Sequence, residues 1–427
     1  MKIVSKITCF ILISLACANT AYQSYSGYKV YKIIPKSENE VKILSDLKKG
    51  NEYSFWTQVV KVMGDVRIMV QPTKQKEFEN YLASVNLEYK VAVDDMQRPR
   101  NRASTDYAWD YYQNLEEIHD WLRHIAETHS DVVTLVDLGT TFGDRHILGV
   151  EINYRKQDNP TIAMIEGGIH AREWISPATV TWIIKELLTS SDPNVRAMAE
   201  NIVWHLFPVT NPDGYDYTFT NDRMWRKNRN TQQFTSCAQW NTNDDMTTGA
   251  STNPCSEVYA GPGANSEAET RAIIGHVNRL RQNGNLVFYI TFHSFAQMVL
   301  VPYSHVGGAD VLEFEIAIRG MDKLTQRHGI EYEVGTSADI LYEVSGSSFD
   351  WVKGVANVPI VYLIELRDDG DFGFLLPPEL IVDNNEEVMD ALVEMDRVAR
   401  RLGYWKKYLL SHYSRQCKHV TLQWFRK

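Results

Sequence analysis

The protein has 427 residues, 44% hydrophobic and 23% charged, a composition typical of a folded globular protein with room for more than one domain. Its formal net charge of -10 argues against binding to nucleic acid, because proteins that contact phosphate backbones usually carry basic surfaces. Composition and charge therefore favour a soluble protein without nucleic-acid partners, and they leave the fold open.

The N-terminus has the pattern of a secretory signal peptide. Lys2 and Lys6 precede an apolar run from Ile7 to Ala18, which ends in the small residues "ACA". We expect cleavage between Ala18 and Ala21, so that residues 1–20 are removed and the mature protein is extracellular. The alternative is a membrane anchor, but the run is shorter than the about 20 residues that a transmembrane helix needs. No membrane partner is expected.

The five cysteines separate into two groups. Cys9 and Cys17 are lost with the signal peptide, whereas Cys237, Cys255 and Cys417 remain. In a secreted chain, the two that are close in sequence form the default disulfide, Cys237–Cys255. Cys417 is left over, and the sequence does not decide between a free thiol and a bond between chains.

Residues 21–102 are predicted to form a small α+β domain. "YKVYKII" and "VRIMV" have the composition of strands, and "ENEVKILSDLKK" and "TKQKEFENYLASV" have the periodicity of amphipathic helices. The segment "QRPRNRAS" follows, with Arg98, Arg100 and Arg102 around a proline. It is typical of an exposed linker that a trypsin-like protease could cut, although an uncut, solvated linker has the same composition.

Residues 103–427 alternate between strands and helices, which predicts one α/β domain around a mixed sheet. Several strands are apolar on both faces and belong in the middle of a sheet covered on both sides. Asn114 with Glu117 predicts a capping box before one helix, and Ser266 with Glu269 predicts another. The predicted strands are "VVTLVDL", "ILGVEI", "TIAMI", "IVWHLFPV", "LVFYITF", "MVLVP" and "PIVYLIEL".

Four polar residues follow or end apolar strands. His170 and Glu173 lie in "GGIHAREWISP" between a strand and a helix, and His293 ends "LVFYITFH". Two histidines and a carboxylate leave the fourth position on zinc open, as a catalytic site requires. Glu365 ends the apolar strand "PIVYLIE", where burial is costly unless the carboxylate is paired or serves as a general base. Each feature alone is weak, and their shared placement at strand ends favours a catalytic metal site.

At this point the chain resembles the secreted zinc carboxypeptidases of the pancreatic A/B type. The resemblance covers the signal peptide, an activation domain and a catalytic domain. It is carried by "GGIHAREWISP", "VTNPDGYDYT", "RMWRKNR", "STNPCSE", "TFHSF", "ILYEVSGSSFDW" and "IELRDDGDFGFLLP", all in the family's order. It implies a zinc-dependent enzyme, made as a zymogen, that acts on the C-termini of peptides or proteins.

The resemblance also implies roles for individual residues. One Zn2+ ion would be held by His170, Glu173 and His293. Glu365 would take a proton from the attacking water and pass it to the leaving amine. Arg229 would stabilise the oxyanion, an effect worth about a hundredfold or more in rate.

Substrate binding is implied for a second set of residues. Phe349 stands where the family places the bottom of the pocket for the C-terminal side chain, and it offers no partner for a cation, so an apolar side chain is expected. Phe295 stands where the family more often has tyrosine. The implied substrate-binding residues are Arg172, Arg226, Ser294, Phe295, Tyr342, Phe349 and Phe374.

The segment between Cys237 and Cys255 departs from the family. There the family carries Asp-x-Asn-Arg-Asn, whose asparagine and arginine grip the substrate's free carboxylate, but this segment is shorter and contains no arginine. Possible substitutes without a secure alignment are Asn241, Asn243, Asp244 and Asp245. Three readings stay open: a working enzyme, an impaired homologue that binds zinc and peptide or protein, and a sequence record that has lost residues.

Overall fold

The computed structural model describes residues 23–94 except 51, 58 and 60, residues 107–230, and residues 249–405 except 306 and 309. The predicted signal peptide, the arginine linker, Cys237 and the four candidate substitutes after it, and Cys417 with the C-terminal tail lie outside these residues.

Residues 23–94 form an α+β unit, as predicted. Its antiparallel sheet has the strand order β2-β3-β1-β4, and its two helices match the two predicted ones. Two strands were not predicted, since β2 has only two residues and β4 is largely exposed. The elements are β1 (Lys29–Ile33), α1 (Glu38–Lys49), β2 (Ser54–Phe55), β3 (Val66–Val70), a 3-10 turn (Pro72–Lys74), α2 (Gln75–Ser84) and β4 (Tyr89–Val93).

The remaining described residues form the predicted α/β unit around an eight-stranded mixed sheet. Its strands are β5 (Val133–Thr140), β6 (His146–Ile152), β7 (Thr161–Gly167), β8 (Val203–Phe207), β9 (Asn285–Ser294), β10 (Met298–Val301), β11 (Glu333–Thr336) and β12 (Ile360–Leu366). Its helices are α3 (Leu115–Thr128), α4 (Ile175–Thr189), α5 (Pro193–Asn201), α6 (Pro212–Thr220), α7 (Ala268–Asn283), α8 (Val311–His328), α9 (Ser337–Ile340), α10 (Ser348–Gly354) and α11 (Ile381–Arg401), with 3-10 turns at Gly373–Leu375 and Pro378–Leu380.

The sheet topology positions the functional groups. The strand order is β11-β10-β12-β9-β7-β8-β6-β5, and the neighbours β12, β9, β7 and β8 are all parallel. Parallel neighbours bring their carboxyl ends to one edge of the sheet, which is where α/β proteins place their ligands. Glu365 at the end of β12 pairs in register with His293 at the end of β9.

Both faces of the sheet are covered, because alternate residues of its central strands enter different apolar clusters. On β7, Ala163 and Ile165 join the cluster under α4 and α11, whereas Ile162 and Met164 join the cluster with Phe349 on α10. This explains why the central strands were apolar at every position.

Of the two predicted capping boxes, the structure confirms one and contradicts the other. Asn114 and Glu117 form a reciprocal capping box before α3, so that prediction is confirmed. The Ser266–Glu269 prediction is wrong: α7 begins one residue later than that pairing requires, with Glu267 as its N-cap and no capping bond from its side chain. The Ser266 hydroxyl instead donates to the Glu267 carboxylate at 2.8 Å. Within the described ranges, none of the helices has the length and apolar character needed to cross a bilayer.

Candidate metal centre and active site

A tight turn after β7 aims the first metal donors at the sheet edge. Gly168 has a φ of 67°, a conformation that favours glycine. A Cβ there would lie 3.0 Å from the carbonyl oxygen of Pro208 and 3.1 Å from a ring carbon of Pro177. The backbone N–H of Gly168 also donates to the hydroxyl of Ser176 on α4 at 2.9 Å. The strand, turn and helix are thus held together around the segment with His170 and Glu173.

Three side chains converge at this edge. Nδ1 of His170 lies 2.8 Å from one oxygen of Glu173, and Nδ1 of His293 lies 3.1 Å from the other. The two Nδ1 atoms are 3.0 Å apart. Glu173 and His293 are buried and His170 is half-buried. Although burial opposes it, the two histidines hold the pKa of Glu173 below its usual range, so this carboxylate stays ionised.

This donor set fits zinc. The Thr291 hydroxyl oxygen lies 3.1 Å from Nε2 of His293, which suits an Nε2–H that donates and leaves Nδ1 with a lone pair. With Nδ1 of His170 also unprotonated, the lone pairs of both histidines face the ionised Glu173, an arrangement that a bound cation stabilises. The donor atoms are spaced close to the about 3.3 Å expected between ligands of a tetrahedral zinc with bonds of about 2.0–2.1 Å. Within the described residues these three form the one cluster of this kind.

Glu365 lies next to the metal donors. Its register with His293 places it on the neighbouring strand, and its Oε2 is buried without a hydrogen-bond partner among the described residues. Burial raises the pKa of Glu365 to about 8. A carboxylate whose pKa lies near neutrality can both accept and return a proton at physiological pH.

Arg226, and not Arg229, lies beside this cluster. Its guanidinium donates to Glu173 at 3.4 Å, and its backbone carbonyl accepts from the N–H of Ala171 at 2.9 Å. Burial, followed by the charge of Arg226, lowers the pKa of His170 to about 3.

The role predicted for Arg229 is therefore corrected. Its guanidinium carbon lies 3.7 Å from the ring centre of Tyr217 and 4.4 Å from that of Trp225, so the side chain is stacked on aromatic rings instead of facing the metal donors. Both arginines belong to the motif "RMWRKNR", and the sequence alone did not show which one faces the sheet edge.

Three further substrate-binding candidates lie together on one side of the centre. Arg172 is buried, its guanidinium donates to Glu257 at 3.0 Å, and its guanidinium carbon lies 4.4 Å from the ring centre of Phe374. The rings of Phe374 and Phe295 are 4.9 Å apart. The structure therefore brings Arg172, Phe295 and Phe374 into one wall beside the metal donors.

The remaining candidates, Tyr342, Ser294 and Phe349, have three different environments. Tyr342 is close enough to Arg226 and Glu365 for their charges to act on its pKa, which burial raises. The Ser294 N–H donates to Glu173 at 3.3 Å. Phe349 is buried in the apolar cluster under the sheet.

The α+β unit covers the site with an aromatic side chain. The ring centre of Trp56 lies 5.2 Å from that of Phe374 and 6.2 Å from that of Phe295. The fully buried guanidinium of Arg67 donates to the backbone carbonyls of Asp369, at 3.0 Å, and Gly370. Trp56 thus occupies the side of the centre where two substrate-binding residues were predicted.

Sequence reasoning missed several partners of the site. Thr291 orients His293, Glu257 pairs with Arg172, and Trp56 covers Phe374. Of these, Thr291 carried a usable signal, because it is a polar residue two positions before His293 and therefore on the same face of a strand. The pairing of Glu257 with Arg172 spans 85 residues, and no local pattern indicates it.

Comparisons with known proteins agree with this geometry. Residues 118–391 match the model of the zinc carboxypeptidase family, and residues 31–99 match the model of the carboxypeptidase activation peptide. The matches fall on the two units that the structure shows.

Individual relatives cover most of the chain. Zinc carboxypeptidase A 1 of Anopheles gambiae is 39% identical over 89% of this chain and 92% of its own. Carboxypeptidase B of Rattus norvegicus is 32% identical over 89% of this chain and 96% of its own. The crystal structure of carboxypeptidase A from Helicoverpa armigera superposes with a TM-score of 0.75 and 25% identity, over 89% of this chain and 99% of its own. The chain therefore belongs to the zinc carboxypeptidase family and is a metallocarboxypeptidase of the A/B type that carries its own activation peptide.

Proposed function

We propose that the protein is secreted as an inactive precursor, is cut after Arg102 by a trypsin-like protease, and then removes apolar residues from the C-termini of peptides or proteins. The observation that carries this proposal is the convergence of His170, Glu173, His293 and Glu365 at one sheet edge. Family membership already gives zinc-dependent carboxypeptidase chemistry and activation by proteolysis. The residue roles, the activating protease and the preferred substrate are the proposal.

The chemistry divides among three groups. Zinc, when bound by His170, Glu173 and His293, supplies a Lewis acid that polarises the scissile carbonyl and lowers the pKa of a water molecule. Glu365 accepts the proton of the attacking water and then gives it to the leaving amine, as its pKa of about 8 permits. Arg226 donates hydrogen bonds to the oxygen that becomes negatively charged, the role first expected of Arg229.

The preference for apolar residues rests on Phe349. Its buried phenyl ring ends the pocket that the family uses for the C-terminal side chain, and an apolar wall cannot compensate a buried cation.

Binding of the substrate's free carboxylate is the part of the proposed function that differs most from the family pattern. With no arginine between Cys237 and Cys255, the candidates for binding the free carboxylate among the described residues are Arg226, Tyr342 and Arg172. A single arginine binds a carboxylate strongly when both of its N–H groups engage. The missing arginine also supports a second candidate, a homologue that binds zinc and peptide but turns peptides over slowly.

The precursor is proposed to consist of a signal peptide (1–20), an activation domain (21–102) and a catalytic domain (103–427). Trp56 supports inhibition by the activation domain, because its ring lies against two substrate-binding residues. The Cys237–Cys255 disulfide is part of the proposal and is supported by the disulfide-bonded state of Cys255.

The direct test is to treat the purified precursor with trypsin and to measure release of C-terminal phenylalanine and leucine from peptides. We expect a new N-terminus near Ala103 and release only after the cut. A variant with Arg98, Arg100 and Arg102 all changed to glutamine is the matched control and should stay intact and inactive. A processed, zinc-loaded protein that releases neither residue would favour the impaired homologue, and a stable cut deep in the catalytic domain would refute the proposed activation site.

A further inference from the structure

Glu166, near the end of β7, is a buried carboxylate that the proposed chemistry does not use. Its side chain is 1% exposed. The Tyr289 hydroxyl donates to its Oε1 at 2.7 Å, and the Ser348 hydroxyl lies at 3.5 Å from the same oxygen. Its Oε2 is enclosed and has no hydrogen-bond partner among the residues that the structure describes. Such an oxygen is costly to bury, and it is therefore available to a ligand.

The strand register places Glu166 directly beneath the reacting groups. Glu166 pairs with Thr291 on β9, which pairs with Leu363 on β12. His293 and Glu365 form the next layer toward the carboxyl ends. Alternate residues share one face of a strand, and two residues rise about 6.6 Å, so Glu166 lies one side-chain layer below the metal donors on the same face.

The same carboxylate adjoins the proposed end of the substrate pocket. Ser348, its neighbour, directly precedes Phe349 at the start of α10. Phe349 and Tyr289 belong to the apolar cluster on this face of the sheet. The proposed end of the pocket therefore combines a phenyl ring with a carboxyl oxygen that has no donor within the described part of the chain.

We propose that Oε2 of Glu166 accepts a hydrogen bond from the far end of the substrate's C-terminal side chain, so that a C-terminal tyrosine is preferred to phenylalanine. This inference rests on the proposed carboxypeptidase function and specifies its substrate class: an apolar body with one donor at its tip.

The hydrogen bonds already made by Glu166 favour a hydroxyl group over a cation as the group that binds to Oε2. Oε1 already lies against the two hydroxyls of Tyr289 and Ser348, which leaves a single free oxygen. Burial raises the pKa of Tyr289 well above its usual value, so its hydroxyl remains a donor. A phenol brings one donor, whereas the ammonium group of lysine brings three and would leave two without acceptors on a face of the sheet that is otherwise apolar.

The test compares kcat/KM of the processed protein on two peptides that differ only in a C-terminal tyrosine or phenylalanine. The wild type should favour tyrosine by about tenfold or more, because the acceptor oxygen is buried and has no other donor among the described residues. In Glu166→Gln the ratio should fall several-fold, because an amide can present its NH2 group to the ligand instead of an acceptor oxygen, and in Glu166→Met it should approach one. Glu151→Gln, which changes a half-buried glutamate on β6, should keep the wild-type ratio. General damage to the fold would lower both rates and leave their ratio unchanged.

A wild-type ratio near one would overturn this inference, while turnover of the phenylalanine peptide would still support the proposed function. A preference for lysine over norleucine that disappears in Glu166→Gln would also overturn it, since Glu166 would then be a partner for cations. Calorimetric binding of two zinc-binding dicarboxylates, one with a benzyl and one with a 4-hydroxybenzyl group, gives the same comparison without turnover. Equal affinities there would refute the inference even if the protein hydrolyses no peptide.

Discussion

Among the described residues, two histidine pairs have nearly the same ring geometry and different surroundings. The rings of His170 and His293 are 4.7 Å apart and inclined by 64°, and those of His205 and His276 are 5.0 Å apart and inclined by 66°. In the first pair two Nδ1 atoms face each other at 3.0 Å, whereas in the second Nε2 of His276 faces Nδ1 of His205 at 3.3 Å.

The second pair satisfies its own hydrogen-bonding needs. The guanidinium of Arg279 donates to Nδ1 of His276 at 3.1 Å, which requires that nitrogen to be the acceptor. Nε2 of His276 then carries the proton and donates to His205. A metal ion would gain no free lone pair there and would be repelled by Arg279.

The comparison shows that proximity of two histidines does not make a metal site. What distinguishes the first pair is Glu173, whose oxygens lie 2.8 Å and 3.1 Å from the two Nδ1 atoms, whereas Glu151 lies 3.9 Å from Nε2 of His205. Whether a histidine pair suits a metal ion therefore depends on the groups that surround the two rings and not on the distance between the rings.

The largest effect expected is on zinc content. His170→Ala or His293→Ala should each lose most of the about one zinc ion per chain that a three-ligand site binds, together with nearly all activity. His205→Ala and His276→Ala serve as controls of equal size and should retain zinc. Metal analysis after dialysis of the four variants decides the matter, and equal zinc in all of them would place the metal elsewhere.

The next effect separates binding of the metal from catalysis. Glu365→Gln should retain zinc and lower kcat by about a hundred- to ten-thousandfold, because an amide cannot accept the proton of the attacking water. Parallel measurements of zinc content and turnover test this expectation. A rate near that of the wild type would exclude Glu365 as the general base.

Much of this arrangement could be predicted because it depends on local pattern. The apolar strands and the polar residues that end them indicated a mixed sheet with a metal site at its edge. Helix α8 was not among the predicted elements, although the buried residues Ile316, Gly320, Met321 and Leu324 recur at helical spacing.

The contacts that were missed or misassigned depend on tertiary geometry. Arg226 and Arg229 lie three residues apart in one motif, and only the fold shows that one faces Glu173 while the other stacks on Tyr217. Glu166 directly follows the predicted strand "TIAMI" and was assigned no role, because the contacts of its Oε1 with Tyr289 and Ser348 appear only in the fold.

A third prediction tests the arginine that accompanies the metal-binding pair. Arg226→Gln should lower kcat by about a hundred- to a thousandfold, because it removes the donor for the developing negative charge. Arg229→Gln should change kcat by less than about tenfold. The guanidinium of Arg229 is stacked on aromatic rings, so this substitution removes only a cation–π contact. Steady-state rates of both variants distinguish the two arginines, and the reverse order would restore the role first expected of Arg229.

The smallest effect concerns the stability of the second pair. Burial lowers the pKa of His205 to about 3 and that of His276 to about 4. In the unfolded chain both titrate near about 6.5. As the pH falls below that value, the unfolded chain binds protons that the folded protein does not, so the stability that these groups provide is lost progressively toward pH 4.

His276→Gln isolates this contribution, because glutamine can accept from Arg279 and donate to His205 but does not titrate. Between pH 6 and pH 4.5 the free energy of unfolding should fall less steeply in the variant, by at most about 1.4 kcal/mol per pH unit, which corresponds to one proton. Urea unfolding of wild type and variant at pH 7.5, 6.0 and 4.5 measures the difference, and subtraction removes the other acid-sensitive groups. Parallel pH curves would mean that His276 binds a proton as readily in the folded protein as in the unfolded chain. The hydrogen bonds from Arg279 to His276 and from His276 to His205 would then not account for the absence of a metal-binding role for this pair.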